Sequence, residues 1–203
     1  THLLNYCATH PDAVVRFYAS EMCLNIHSDA SYLSELKAKS RSSGFNFLSD
    51  FPKEPTKKPD PDATPPPENG AVHVHSAIMK PVLASAAEAE TGSVFFNCQE
   101  GTTIRTTLHE MGWPQPPTPV QTDNVCAAGI ANKTIKQRRS RAIDMRFYWV
   151  QDRVEQGQFI VHWRQGTDNL ADYFPKRHSL THHWLMCSCY LLETVRPDSR
   201  RVY

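Results

Sequence analysis

The sequence predicts an α/β fold: a five-stranded mixed sheet, part antiparallel and part parallel, flanked by helices. Two observations predict it. Three strand-like segments follow one another before residue 81, as in antiparallel pairing through short connections. After it, helix-like and strand-like segments alternate, as parallel strands joined by helical crossovers require.

Residues 1–21 carry a short apolar cluster, Leu3, Leu4 and Tyr6, ahead of Pro11, and read as the end of a preceding module. The chain starts at Thr1 without a Met and is read as a piece of something longer. In MCLNIHSDASY, Met22, Leu24 and Ile26 alternate with Cys23, Asn25 and His27, the pattern of a half-buried strand, with Asp29 at its downstream end. KAKSRSSG reads as a polar turn and FNFLSDF as the return strand of a hairpin. Residues 52–69 hold seven of the fifteen prolines. They can neither join a sheet nor continue a helix, so they read as an extended loop insertion. GAVHVHSAIMK is the third strand.

From Ser85 to about Met111 the pattern is helical, with Val94, Cys98, Leu108 and Met111 on one side, although Gly92 and Gly101 weaken it as an unbroken helix. VQTD is a short strand ending at Asp123, and NVCAAGIAN a short helix. The basic KTIKQRRSR runs into an amphipathic helix with Ile143, Phe147, Val150 and Val154 on one face and Gly157 as its stop. QFIVHW is the fifth strand, and GTDNLADYF a short final helix closed by Pro175. The remainder is a tail with histidines and cysteines, in which Trp184, Leu185 and Leu191 suggest an apolar helical patch.

Composition narrows the function classes. With 22 Lys+Arg against 21 Asp+Glu, net charge favours neither a histone-like binder nor an acidic tail, so any nucleic-acid surface is local. Six scattered cysteines and no apolar signal segment predict reduced thiols and an intracellular protein. No run approaches the roughly 20 apolar residues of a membrane span, so no membrane partner is expected. The His and Cys spacing in the tail lacks the paired pattern of a zinc site. No Tyr-x-Asp-Asp pair marks a polymerase centre.

Acids at strand ends are candidates for chemistry, because open α/β sheets bind ligands beyond the carboxyl ends of parallel strands. Asp29 and Asp123 stand there, although a single such acid is usually a turn or cap residue. HSDASY, SAAEAE, QTDN, QRRSRAIDMRFYWVQDRV and DNLADYFPK, in that order, resemble the ribonuclease H domain of copia-type LTR retrotransposon polyproteins. The likeness covers about residues 22–177, with residues 1–21 as the tail of a reverse transcriptase region and residues 178–203 as a C-terminal tail.

The resemblance implies a ribonuclease H-like fold and an acidic site that binds two divalent ions and cuts RNA paired to DNA. It places the four acids on Asp29, Glu90, Asp123 and Asp172, as catalytic residues and metal ligands. The implied ions are Mg²⁺, with Mn²⁺ as the alternative, since hard ions take oxygen ligands and neutralise gathered carboxylates. The implied partners are an RNA/DNA hybrid and the reverse transcriptase of the same polyprotein. Two choices stay open. Ser85 and Glu88 fit a capping box, which would employ Glu88 structurally; Glu90, about 200° further round the helix, then faces the sheet. Asp168 suits the N-cap of the last helix, and Asp172 lies one turn on.

Lys133, Lys136, Arg138, Arg139 and Arg141 form the candidate phosphate-binding stretch. The sequence departs from the family at Arg141-Ala142-Ile143-Asp144 and at Pro175, and the loop RQGTDN lacks a histidine that could assist proton transfer. A catalytically weak nucleic-acid-binding or scaffolding domain is therefore the rival reading. A retroviral-type integrase is disfavoured, because here the Glu precedes the second Asp.

Overall fold

The computed structural model describes residues 2–51, 67–135 and 144–192. The sheet comprises β1 (Cys23–Glu35), β2 (Lys39–Ser49), β3 (Ala71–Ile78), β4 (Thr118–Thr122) and β5 (Phe159–Trp163). Its order is β3-β2-β1-β4-β5, with β1 to β3 antiparallel and β4 parallel to both β1 and β5. The helices are α1 (His2–Thr9), α2 (Ala86–Glu110), α3 (Val125–Ala131), α4 (Asp144–Glu155) and α5 (Leu180–Tyr190), with 3-10 turns at Gly166–Asp168 and Leu170–Tyr173. The mixed sheet is thus the one the segment order predicts. Of the Pro-rich insertion, residues 52–66 lie outside the described residues, as does Ile143.

β1 is a central strand buried on both faces from Cys23 to Ser31, rather than a half-buried one. Leu24 and Ile26 face α2 and join Val94, Cys98, Val120, Val150, Val154, Phe159 and Val161 in the main core. Burying a large aliphatic or aromatic side chain is worth about 1.5–3 kcal/mol, so this cluster is the principal anchor between sheet and helices. On the other side, the His27 and Phe47 rings stand nearly perpendicular with centroids 5.1 Å apart, and His27 Nδ1 accepts from the Leu170 N–H at 3.1 Å. Desolvation first, then His162 and Arg164, push the His27 imidazole down to about 3, so it stays neutral with its proton on Nε2.

Two local readings need correction, and the continuity of α2, left open by its glycines, is decided. KAKSRSSG is not a turn beyond Ala38: β2 begins at Lys39, and Ser40, Ser42 and Ser43 are buried strand residues. Their hydroxyls find partners, Ser40 Oγ accepting from Leu33 N–H and Ser43 Oγ reaching the Asp29 and Ala171 carbonyls. That satisfaction is what lets serines occupy a core. Gly101 does not interrupt α2; a Cβ there would lie 2.6 Å from Ile26 Cδ1, so the glycine lets the helix approach the sheet. Met111 is the C-cap of α2 and is 67% exposed, so it is not part of the buried face.

The sheet face opposite α2 is closed by the C-terminal part of the chain. Leu170 and Ala171 pack with Phe45 and Phe47, and Phe174 and Tyr190 lean on this cluster. Tyr190 Oη donates to the Leu170 carbonyl at 2.7 Å. The tail helix therefore docks through Cys187 and Tyr190, while Trp184 and Leu185, the expected patch, are 40% and 70% exposed. The N-terminal segment lies against the same helix: Val14 and Leu192 form a β-bridge, and the His10 and Trp184 rings are 5.7 Å apart. No disulfide joins any of the six cysteines. Among the described residues no helix is long and apolar enough to cross a membrane.

Candidate active site

The parallel pairing of β1 with β4 covers Ile26↔Val120 and His27↔Gln121. Asp29 lies two residues past it in the middle of β1, which runs on to Glu35, and Asp123 directly follows β4. The two acids stand beyond the carboxyl end of the parallel section, even though Asp29 does not end its strand. Asp172 arrives from the second 3-10 turn. One carboxylate oxygen from each of Asp29, Asp123 and Asp172 lies within 4.8 Å of the others.

Glu90, in the first turns of α2, lies beside that set but is not one of the three acids whose oxygens meet within 4.8 Å. The α2 N-terminus is set by Ser85, whose Oγ accepts from the Glu88 N–H at 3.2 Å. Glu88 Oε2 accepts from the Ala84 N–H at 2.8 Å, one residue upstream of the Ser85 amide expected for a capping box. Glu88 is thus occupied at the cap, and Glu90 turns inward, where Oε1 accepts from the Ala30 N–H at 3.2 Å. Glu90 Oε2 is buried without a hydrogen-bond partner, and Asp29 Oδ2, equally buried, has the Lys176 ammonium 3.4 Å away.

The choice between Asp168 and Asp172 has a geometric answer. Asp168 points away from the cluster, 3.4 Å from Arg164 Nη2, and its side chain is 48% exposed. The expected final α-helix is instead two 3-10 turns divided at Asn169, whose Oδ1 accepts from Ala171 N–H and whose Nδ2 donates to Ser28 O at 3.0 Å. Asn169, not Asp168, is the capping side chain.

Electrostatics mark the site. Burial above all, then Asp172 and Asp123, push the Asp29 carboxyl up to about 7, against the pull of Lys176. Burial, then Asp29 and Asp123, hold Glu90 well above the usual carboxylate range. Asp123 is raised for the same first reason, with Asp172 adding to it. Buried like charges without enough counter-charge keep their protons. The donor set, converging carboxylate oxygens with the buried Glu90 Oε2 left unpartnered beside them, fits a hard divalent cation, which would hold these groups ionised.

Sequence reasoning missed Lys176. Its Nζ touches Asp172 Oδ1 and stands 3.4 Å from Asp29 Oδ2. The hints in the sequence are its place at the end of DNLADYFPK and the i,i+4 spacing from Asp172, neither of which assigns it a role. His162, in β5, is half-buried and held down to about 4 by desolvation and then by Arg164, as a packed strand histidine. Of the basic stretch, Lys133 is exposed and paired with Glu155 of α4; Lys136, Arg138, Arg139 and Arg141 lie outside the described residues.

The sequence matches no protein-family model and no curated protein. Solved structures do share its architecture. LC11 ribonuclease H1, isolated from compost, superposes with a TM-score of 0.50 at 12% identity, covering 75% of this chain and 92% of that one. The complex of LC11 ribonuclease H1 with an RNA/DNA hybrid gives 0.50 at 10% identity, over 74% and 92%. The N-terminal ribonuclease H domain of a Mycobacterium tuberculosis protein, solved as a fusion with maltose-binding protein, gives 0.48 at 11% identity, over 83% and 96%. The chain therefore has the ribonuclease H fold, with an acid cluster beyond the carboxyl ends of its paired parallel strands.

Proposed function

We propose that this chain is a divalent-metal-dependent endonuclease of the ribonuclease H type, hydrolysing the RNA strand of RNA/DNA hybrids. The observation that carries the reading is the convergence of Asp29, Asp123 and Asp172 within 4.8 Å, beside the buried, unpartnered Glu90 Oε2. These four side chains would hold the ions, Mg²⁺ or the equally hard Mn²⁺. When bound, a pair of such ions activates the attacking water and stabilises the leaving oxygen of an in-line displacement at phosphorus. The chain's own part is to gather and orient the acids. β1 fixes Asp29, the end of β4 presents Asp123, the inward face of α2 supplies Glu90, and the turn after Asn169 supplies Asp172. Without ions, the raised carboxyls of Asp29 and Glu90 retain protons that loading must release. Selectivity for a hybrid would come from 2′-hydroxyls and groove shape rather than base edges.

Within this reading, residues 22–177 form the nuclease domain of a copia-type retrotransposon polyprotein, residues 1–21 end its reverse transcriptase region, and that polymerase is the partner. Five motifs in family order support the assignment. Lys133, Lys136, Arg138, Arg139 and Arg141 are the proposed contacts to substrate phosphates.

The rival, a scaffolding domain of weak activity, is favoured by one observation: the Arg164–Asn169 loop beside the site contains no histidine. Cleavage of an end-labelled RNA strand in an RNA/DNA hybrid with Mg²⁺, run beside Asp29→Asn and Asp123→Asn, separates the two. The parent should cut, and both variants should lose at least about 100-fold, the scale on which one electrostatic stabiliser counts. Equal residual cutting by all three proteins would hand the case to the scaffold.

A further inference from the structure

Lys176 stands where the acid cluster needs positive charge. Its Nζ touches Asp172 Oδ1 and lies 3.4 Å from Asp29 Oδ2, beside the oxygens that converge within 4.8 Å. The ammonium also counteracts the raised carboxyls of Glu90 and Asp123, so all of the acids feel it. Its backbone is fixed, because the neighbouring Pro175 carbonyl accepts from Ser31 Oγ at 2.9 Å. Its side chain is not enclosed: 40% of it is exposed, whereas Asp29 is 1% exposed. The charged head thus has an open route to solvent along a flexible four-carbon stem.

We propose that Lys176 is the internal cation of this cluster, seated between Asp29 and Asp172 in the metal-free protein and displaced outward when a divalent ion loads. The inference rests on the metal-site reading above and adds a competitor that belongs to the chain itself. An ammonium offers three N–H donors and a single charge to oxygens that can instead ligate a divalent ion. It holds the acids together without neutralising them, and it yields to a doubly charged ion. The consequence is a tax on metal affinity. A protein competent to bind for only a fraction of the time binds more weakly by that fraction. A lysine seated for about nine-tenths of the time weakens apparent affinity about tenfold.

The test is calorimetric titration of Mn²⁺ alone into the metal-stripped full chain, comparing the parent with Lys176→Met, Lys176→Gln and Lys176→Arg. The two neutral variants should bind Mn²⁺ about tenfold more tightly, and the charge-preserving Arg variant should stay near the parent. Thermal melts in EDTA supply a second readout: the neutral variants should melt below the parent, and saturating Mn²⁺ should close that gap. A parent that binds Mn²⁺ with neutral variants that bind equally or less tightly overturns the role of Lys176 and leaves the metal site standing. Folded parent and variants that all bind no Mn²⁺ overturn the metal-site reading, and this inference with it. Tight binding by a neutral variant alone, with none by the parent, supports the inference in its strongest form.

Discussion

Replacing Asp29 with Asn should make the metal-free protein more stable at pH 8 while ending its metal-dependent chemistry. Asp29 is 1% exposed, and its carboxyl is pushed up to about 7 from an ordinary value of 3.8, by burial first and by Asp172 and Asp123 after it. Below about pH 4 the group is neutral in both folded and unfolded chains and carries no ionisation penalty. Between about 4 and 7 the unfolded chain releases a proton that the folded protein still holds. The Asp29 contribution is therefore intact at low pH, is lost as pH rises through the folded value, and is flat above it. At about 1.4 kcal/mol per tenfold change in proton affinity, the penalty at pH 8 is on the order of 4 kcal/mol. Asn removes it, and the pull of Lys176 is already contained in the value of about 7, so it is not subtracted again. A gain on the order of 4 kcal/mol raises the melting midpoint by roughly 8–16 °C in a chain of this size. Circular dichroism melts in EDTA at pH 8 and pH 5 provide the assay, with the gap shrinking to roughly 2 kcal/mol at pH 5. A variant less stable than the parent at pH 8, or a gap indifferent to pH, would show that Asp29 is not a buried acid strained by its neighbours.

Hybrid cleavage should separate the two late acids: Asp172→Asn should lose at least about 100-fold, and Asp168→Asn, altering a half-exposed side chain outside the cluster, should stay within about twofold. Gly101→Val should lower the unfolding free energy measured in urea by about 2–3 kcal/mol, because its Cβ would meet Ile26 Cδ1 at 2.6 Å and the Phe159 ring at 3.3 Å. Tyr190→Phe should destabilise by about 1–2 kcal/mol in the same assay, since the Leu170 carbonyl loses the 2.7 Å bond from Tyr190 Oη.

What could be read in the sequence was what local patterns encode. The Ser85–Glu88 cap announced the start of α2 and freed Glu90 to face inward, and the spacing of Phe147, Val150 and Val154 marked the buried face of α4. The serines of β2 were misread because their hydroxyl partners, Leu33 N–H and the Ala171 carbonyl among them, come from other parts of the chain. Polar residues that satisfy one another in a core look like loop residues in one dimension. Asn169 misled for a related reason: its side chain bridges to Ser28 O, 141 residues away, and breaks an apparent helix into two turns. The acids as a set came from resemblance, since only Asp29 and Asp123 had a positional argument of their own. Lys176 closes one of the motifs, but it drew no role from it, because a lysine four residues from an aspartate is ordinary on any surface.

Beneath the acid cluster the structure spends a polar layer where an apolar one would pack more simply. Ser93 Oγ donates to the Asp29 carbonyl at 2.6 Å, and Ser43 Oγ lies 3.1 Å from that carbonyl and 2.9 Å from the carbonyl of Ala171, the residue before Asp172. One serine hydroxyl thus stands between the backbones of two of the four acids. Asn97 Nδ2 donates to the Ser43 carbonyl at 2.8 Å and to Ser28 Oγ at 3.1 Å. It can come so close only because residue 44 is glycine: a Cβ there would fall 1.6 Å from Asn97 Oδ1. Apolar replacements would bury the same area, but dispersion contacts do not fix orientation as directional bonds in a low-dielectric core do. Mutually repelling carboxylates would otherwise relax by turning apart. A backbone gripped from α2 and β2 together denies Asp29 that relief, which is how the fold can keep a destabilising cluster assembled for an incoming cation.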